Sequence, residues 1–434
     1  MELKKLTRKG FIRTVTCLVV LLTALLAGTL QAASPEDKSV GDTGRTSFVS
    51  VKDRKFFENG APYCYVGTNF WFGAYLGADA AYGDPDRLRT ELDLMKENGI
   101  SNVRVLGASE DSPLDNSLKN TFRGPSTDYN ETLLRGQDVL LDELGKRNMK
   151  AVIYLNNFWE WSGGMATYLY WTNSGEFINM GDPAHPWPAF AEFAAGFYES
   201  EQAIALFRDY VRHIVSRTNS VNGLPYREDP TIMAWQLANE PRPGHRDGRG
   251  FARLPAYNAW VDSTAALIKS IDPNHLVSTG SEGTKGCLED AQCFLDAHAS
   301  KNIDYLTFHM WPKNWGWFDT ANPDGTFAPA MQKARDYMSS HLDLALKLDK
   351  PIVLEEFGLD RDGGGFAAEA PTTLRDRFYG IVFDQVESSL GSDGPLRGTN
   401  FWAWGGYGRA EHEDYLWRED DRSYTGDPPQ EPQG

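Results

Sequence analysis

Eight short apolar runs, separated for the most part by longer stretches of helical periodicity, constrain this chain more than any other feature. They lie at Tyr63–Asn69, Asn102–Leu106, Lys150–Asn156, Thr231–Leu237, Leu276–Thr279, Tyr305–His309, Pro351–Leu354 and Thr399–Trp402. Helical spacing predicts helices near Pro85–Asn98, Glu131–Lys146, Glu201–Thr218, Ala256–Ser270, Pro329–Leu348 and Thr372–Ser388. Asn130 ahead of Glu131, and Pro371 with Thr372 and Thr373, are helix-start signals. Strands and helices in this alternation build a parallel sheet, and eight strands suffice to close it into a single-domain α/β structure, a (β/α)8 barrel. No internal repeat and no second domain is visible. In front of the barrel, Phe48–Val51 and Lys55–Phe57, ending at the turn Glu58-Asn59-Gly60, predict a short hairpin. Behind it, Gly405-Gly406-Tyr407 leads into an acidic, proline-bearing end with no amphipathic pattern, so the eighth helix is expected to be missing.

The first segment reads differently. Lys4, Lys5, Arg8, Lys9 and Arg13 precede an uncharged run from Val15 to Leu26, and small residues follow through Ala32-Ala33-Ser34. This is the layout of a secretory leader over residues 1–33, and the run is short for a membrane span. Thr29 follows Gly28 where a lipid-attached form would carry Cys. Residues 34–45 read as a linker, and 46–434 as the folded domain. Removing the leader takes away five cations and Glu2, so the exported chain is four charges more negative than the full chain's −17. Such a surface repels phosphate backbones, which argues against nucleic acid and anionic membranes as partners. A monomer acting on a neutral polymer remains compatible. Of the cysteines outside the leader, Cys287 and Cys293 enclose a short loop and are expected to form a disulfide in an oxidising compartment, and Cys64 is expected to be a buried thiol. No spacing suggests a metal site, and no cofactor is implied.

Two of the apolar runs end in carboxylates. One closes in Asn239-Glu240-Pro241 and the other in Glu355-Glu356-Phe357-Gly358. Residues at the C-terminal ends of barrel strands form the mouth where chemistry takes place. Two carboxyls there can divide the work of cleaving a glycosidic bond, one delivering a proton while the other remains ionised beneath the sugar ring. Glu355 is the rival to Glu356, and alternation along the seventh strand separates them, with Ile352, Leu354 and Glu356 on one side and Val353 and Glu355 on the other. The insertion from Phe158 to Tyr198 is dense in aromatic residues. It is either a wall of the cleft or a satellite hydrophobic cluster that holds the loop together.

These strand ends resemble those of glycoside hydrolase family 5. Gly67-Thr68-Asn69-Phe70-Trp71, Trp235–Arg242, Thr279–Gly283 and Phe308–Trp315 are similar to the endo-β-1,4-mannanase subfamily, in the same order, from about Phe48 onward. The resemblance implies a retaining enzyme acting on internal bonds of mannan, glucomannan or galactomannan. It implies Glu240 as general acid/base and Glu356, directly before the aromatic–Gly pair, as nucleophile. It further implies Asn239 on the sugar 2-hydroxyl, His309 lining the cleft, Trp402 as the floor under the sugar at the cleavage point, and Arg242 and Glu282 on the leaving-group side. Arg104, between Val103 and Val105, points into the barrel and is a candidate to hold Glu356 ionised. Trp404 competes with Trp402, and Trp71 and Trp159 are weaker subsite candidates. Where the subfamily often has Tyr, this chain has Trp311, whose indole cannot supply the phenol's hydrogen bond. The rival readings are a β-1,4-glucanase or an exo-β-mannosidase on the same scaffold, and a non-catalytic polysaccharide-binding protein.

Overall fold

The computed structural model describes residues 47–415 except 368, together with 418, 421 and 424. The expected leader (1–33) and linker (34–45) lie outside the described residues. The chain opens on three antiparallel strands, β1 (Ser50–Lys52), β2 (Lys55–Glu58) and β3 (Ala61–Tyr63). The expected hairpin thus gains a third strand. Asn59 and Gly60 both adopt positive φ, 51° and 76°, and fold Ala61–Tyr63 back onto β2. The barrel therefore starts at Tyr65 rather than Tyr63.

Eight parallel strands follow: β4 (Tyr65–Asn69), β5 (Asn102–Leu106), β6 (Lys150–Tyr154), β7 (Ile232–Gln236), β8 (Leu276–Ser278), β9 (Leu306–Met310), β10 (Ile352–Phe357) and β11 (Leu396–Phe401). Every expected run forms a strand. The first and last strands pair through Gly398–Tyr65 to Phe401–Thr68, so the sheet turns back on itself. Between β8 and β9 no regular ladder forms, and isolated bonds close the gap: Asp304 N–H donates to the Val277 carbonyl at 2.8 Å and Thr307 Oγ1 to the Ser281 carbonyl at 3.0 Å. A (β/α)8 barrel is the result.

Helices α1 (Gly73–Gly77), α2 (Pro85–Glu97), α3 (Glu131–Lys146), α4 (Gly164–Thr172), α5 (Ala189–Ala194), α6 (Glu201–Val215), α7 (Gly250–Ile271), α8 (Ala291–His298), α9 (Pro323–Leu348) and α10 (Thr373–Gly391) lie in the strand connections. Asn130 caps α3 as its position suggests, its side chain accepting from Leu133 N. The start of α10 differs. Thr372 makes no capping bond, and Asp362, eleven residues upstream of Thr373, accepts instead from Thr373 N and Leu374 N. Among the described residues no helix follows β11. Tyr424 packs instead on Trp71, Phe72 and Tyr75 while its carbonyl accepts from Arg87.

The interior of the barrel is filled in layers. At its N-terminal end, Val152, Met233, Val353 and Tyr305 meet Val49 and Phe56, so the small sheet plugs the bottom. Above them the filling becomes polar: Arg104, Gln236 and Glu355 are all completely buried. A buried charge is tolerated only where partners surround it. That polar layer is the support on which the barrel mouth rests.

The Cys287–Cys293 disulfide expected from spacing is not formed, and both residues are buried free thiols. Cys293 sits in the first turn of α8, where Asp290 accepts from its backbone N–H, and Cys287 lies in the loop before it. The contact with Cys287, together with burial, pushes the Cys293 thiol up. A thiol held protonated is a poor nucleophile for disulfide exchange.

Candidate active site

Glu240 follows β7 by four residues and adopts a left-handed φ of 50°, a costly conformation for a residue with a Cβ. The backbone on both sides fixes it there. Asn239 N–H donates to the Asn156 carbonyl at 2.8 Å and Glu240 N–H to the Gly280 carbonyl at 2.9 Å, tying the end of β7 to both neighbouring strands. The turn aims the carboxyl into a cavity of about 760 Å³ at the mouth of the barrel.

Glu356 reaches the same cavity from β10 through a local irregularity. The register against β9 slips between Leu354 and Glu356. Simple alternation, which would put Glu355 on the opposite side of the strand, therefore fails. Glu355 points into the barrel just below Glu356, where Gln236 Nε2 donates to it at 2.5 Å and Tyr305 Oη at 3.3 Å. Gly358 completes the turn. A Cβ there would stand 2.9 Å from the Trp311 ring and 3.2 Å from the Trp402 carbonyl, so only glycine lets those two indoles close over the strand end.

Arg104 organises the layer beneath. Its Nη1 donates to Glu356 at 2.5 Å and to Asn69 Oδ1 at 3.1 Å, its Nη2 to Asn239 Oδ1 at 2.8 Å, and its Nε to Gln236 Oε1 at 2.7 Å. Its guanidinium also lies 4.5 Å over the Tyr154 ring. One cation thus holds the nucleophile candidate and the amide beside Glu240 in a fixed relation. Arg104 does not line the cavity, and neither does His309, which lies fully buried between the two carboxylates. His309 Nδ1 is 2.6 Å from Glu240 Oε1 and 3.2 Å from Glu356 Oε2. One ligand-capable atom from each of Glu240, His309 and Glu356 lies within 4.8 Å of the other two.

The charges follow from this packing. Burial disfavours charge on His309, but the negative charge of Glu356 and the bonds to both glutamates outweigh it and raise the imidazole to about 9. Glu240 is raised by burial, yet His309, then Arg242 and Trp159, bring it below the usual carboxylate range. The proton of this pair therefore rests on the imidazole rather than on Glu240. The sign of the stability linkage is set by the raised value. An unfolded His titrates near 6.5, so His309 contributes its full stabilisation below that pH and loses it as the pH climbs through about 9. Unfolding free energy measured in urea should fall with pH across this window by up to about 3 kcal/mol from this group. His309→Gln should flatten that slope, and an unchanged slope in the variant would remove His309 as its source.

Around the carboxylates, Trp159 Nε1 donates to Glu240 Oε2 at 2.5 Å, and the Arg242 guanidinium lies 4.9 Å over the Trp159 ring. Arg242 pairs with Glu282, which also accepts from Trp315 Nε1 at 3.1 Å. Burial pushes Glu282 up to about 7 against the pull of Arg242. Trp311 and Trp402 meet edge to face at 6.1 Å beside Glu356. Of the two competing tryptophans, Trp402 lines the cavity, whereas Trp404 turns outward and donates to Glu91 at 2.9 Å.

Asn239, Glu240, Arg242, Glu282, Trp159, Trp311, Trp402 and Glu356 are thus gathered around one cavity. Trp71 is not. It is 1% exposed and packs edge-on against Tyr75, Trp161 and Tyr424. Lying two residues beyond the end of β4, it has already turned toward α1. The residue of that motif which does reach the site is Asn69, the last of β4, and its place at a strand end was the available signal. Gln236 and Trp315 were also missed. The aromatic insertion divides between its two readings: Trp159, Trp161 and Trp187 line the cavity, while Tyr168 and Trp171 pack together away from it.

A family model described as "GH family 5 beta-mannosidase-like" matches residues 46–434. The chain is 27% identical over 419 residues to mannan endo-1,4-beta-mannosidase 5 of Solanum lycopersicum, covering 93% of this chain and 92% of that protein. The crystal structure of a glycoside hydrolase family 5 mannosidase from Rhizomucor miehei is similar with a TM-score of 0.81 and 36% identity, over 89% of this chain and 92% of that one. An endo-1,4-beta-mannanase from the same organism matches with a TM-score of 0.60 and 27% identity, over 82% of this chain and 90% of that one.

Proposed function

This chain belongs to glycoside hydrolase family 5 and is a glycoside hydrolase, and from that premise we propose that it is a secreted, retaining endo-β-1,4-mannanase. The observation that carries the proposal is the approach of Glu240 and Glu356, whose carboxylate oxygens come within 4.8 Å across the cavity floor. Retention needs carboxyls about 5–5.5 Å apart, because the second one must touch the anomeric carbon directly; inversion needs about 6.5–9.5 Å to admit a water.

A mannose at the cleavage point stacks its apolar face on Trp402 and presents its anomeric carbon to Glu356. Arg104 donates to one oxygen of Glu356 and His309 Nδ1 lies 3.2 Å from the other, so the two hold the carboxyl in place for the attack. The leaving oxygen faces Glu240. The imidazolium proton passes from His309 Nδ1 to Glu240 across their 2.6 Å bond, and Glu240 delivers it to the departing sugar. Glu240, now ionised, takes a proton from an incoming water, which displaces Glu356 and releases the sugar with its original configuration. Asn239 has one amide hydrogen committed to Asn157 and its carbonyl committed to Arg104. Its second amide hydrogen is available to the sugar 2-hydroxyl. The uncharged apolar run at the N-terminus, preceded by five cations and followed by small residues, supports export, and no helix among the described residues is long and apolar enough to cross a membrane.

A second reading has its own support. The higher similarity to the fungal mannosidase than to the fungal endo-mannanase favours an exo-acting β-mannosidase that removes single mannose units. Product analysis on galactomannan, mannohexaose and cellulose decides. Mixed manno-oligosaccharides early in the reaction are expected, with the β-anomer formed first by NMR. Mannose alone would select the exo reading, and cleavage of cellulose without mannan would overturn both.

A further inference from the structure

Trp187 is the one tryptophan among the described residues that is exposed, with 51% of its surface open, and it lies on the rim of the cavity. An indole left open to water forfeits much of the free energy its burial would supply, on the order of 2 kcal/mol. Had the insertion served only to hold itself together, this ring would be turned inward as Tyr168 is. It is instead braced from behind. Its ring runs 28° from parallel to Trp159 at 6.2 Å and meets His245 edge-on at 5.9 Å, while Trp159 is itself backed by Phe190, 9° from parallel at 6.3 Å. A rigid aromatic plane at a cleft rim, with solvent in front of it, is a surface for stacking a ligand.

Its place along the cleft follows from its contacts. Glu356 is flanked by Trp311 and Trp402, and Glu240 by Trp159 and Arg242. With Glu356 as nucleophile and Glu240 as acid/base, the reading this inference rests on, the sugar that keeps its anomeric carbon lies over Trp402 and the leaving sugar lies against Trp159. Trp187 packs on Trp159, and so lies on the Glu240 side of the cavity, at its exposed rim. We propose that Trp187 is the stacking platform of a second subsite on the leaving-group side. It takes the sugar ring two places beyond the cleaved bond in a β-1,4-linked mannan chain, and it sets the preference for longer substrates. Arg246, paired with Glu289 at 3.0 Å, lines the same cavity and offers polar groups to sugar hydroxyls.

The test compares two substrates with purified wild-type enzyme, Trp187→Ala and Trp187→Phe. Mannopentaose reaches the platform; 4-nitrophenyl β-mannobioside ends at the first leaving-group position and does not. Trp187→Ala should lower kcat/KM on mannopentaose roughly five- to tenfold, mainly through KM, with less than about a twofold change on the aryl glycoside. Trp187→Phe should recover much of the loss. Equal loss on both substrates would assign Trp187 a structural role through Trp159, and no loss on either would leave the platform without function; both overturn the proposal. If the wild-type enzyme cleaves neither substrate, it is the mannanase reading itself that fails.

Discussion

Glu356→Gln is expected to lower turnover on mannan by at least about 10⁴-fold while leaving a folded enzyme, because the substitution removes the attacking atom and little else. A carboxamide can still accept from Arg104, and the guanidinium keeps its bonds to Gln236, Asn69 and Asn239. The loss should therefore lie in kcat, with KM for oligosaccharides little changed. The stereochemistry of rescue is more telling than the size of the loss. In Glu356→Ala the side chain no longer fills the space below the ring, and azide can enter it. Azide then attacks an aryl β-mannobioside from that face and expels the phenol, forming an α-mannosyl azide. Recovery of that product would place the nucleophile at Glu356. Recovery of activity by azide in Glu355→Ala but not in Glu356→Ala would transfer the role to the neighbouring glutamate, and wild-type turnover by Glu356→Gln would end the assignment outright.

The choice between those two glutamates shows where the sequence stops being informative. Period-two alternation is a property of an undisturbed strand, and it separates Glu355 from Glu356 by face. In the folded chain β10 slips register against β9, so the two carboxyls stack within the barrel, one under the other. That slip is decided by the partner strand, which lies over forty residues away in the sequence. The eight strands were legible because each is a short run buried in the barrel along nearly all its length, Val66 and Phe401 being the exceptions. Glu240, Glu356, Asn239 and Asn69 share another legible property, a place at or just beyond a strand's C-terminal end. Trp71 was misread because aromatic character was given more weight than that placement, and the backbone had already turned it into the core. Long-range pairings left no trace in the sequence. Nothing near Thr372 announces that Asp362 caps α10, and nothing in the spacing of Cys287 and Cys293 reveals that the two are placed as free cysteines.

The polar layer under the cleft joins the fold to the chemistry. Arg104 is completely buried, and its partners come from β4, β7 and β10 and from the residue beside Glu240. The same network that satisfies a costly buried cation also fixes the distance between the two catalytic candidates. A barrel assembled from separate strands would otherwise have no means of holding two side chains from β7 and β10 to a fraction of an ångström.

Glu240→Gln carries the second large effect, and its signature depends on the leaving group. Proton delivery contributes about 10²–10⁴-fold to such reactions, so turnover on mannan should fall by that factor. A 2,4-dinitrophenyl β-mannobioside departs without protonation, and its first step should be nearly as fast as in the wild-type enzyme. The second step still lacks a base for water, so the mannosyl-enzyme should accumulate and dinitrophenol should appear as a burst equal to the enzyme concentration. Azide needs no base, and in Glu240→Ala it should relieve the block and give the β-azide, opposite in configuration to the product of Glu356→Ala. The pH profile is a further constraint. In the wild-type enzyme the transferable proton is held by His309, which is raised to about 9 and bonded to Glu240, so activity on mannan should decline as the pH passes that region. With Glu240 replaced, that alkaline decline should vanish from the dinitrophenyl reaction, which consumes no proton. A burst-free time course and an unaltered alkaline limb in Glu240→Gln would together show that the proton comes from another group.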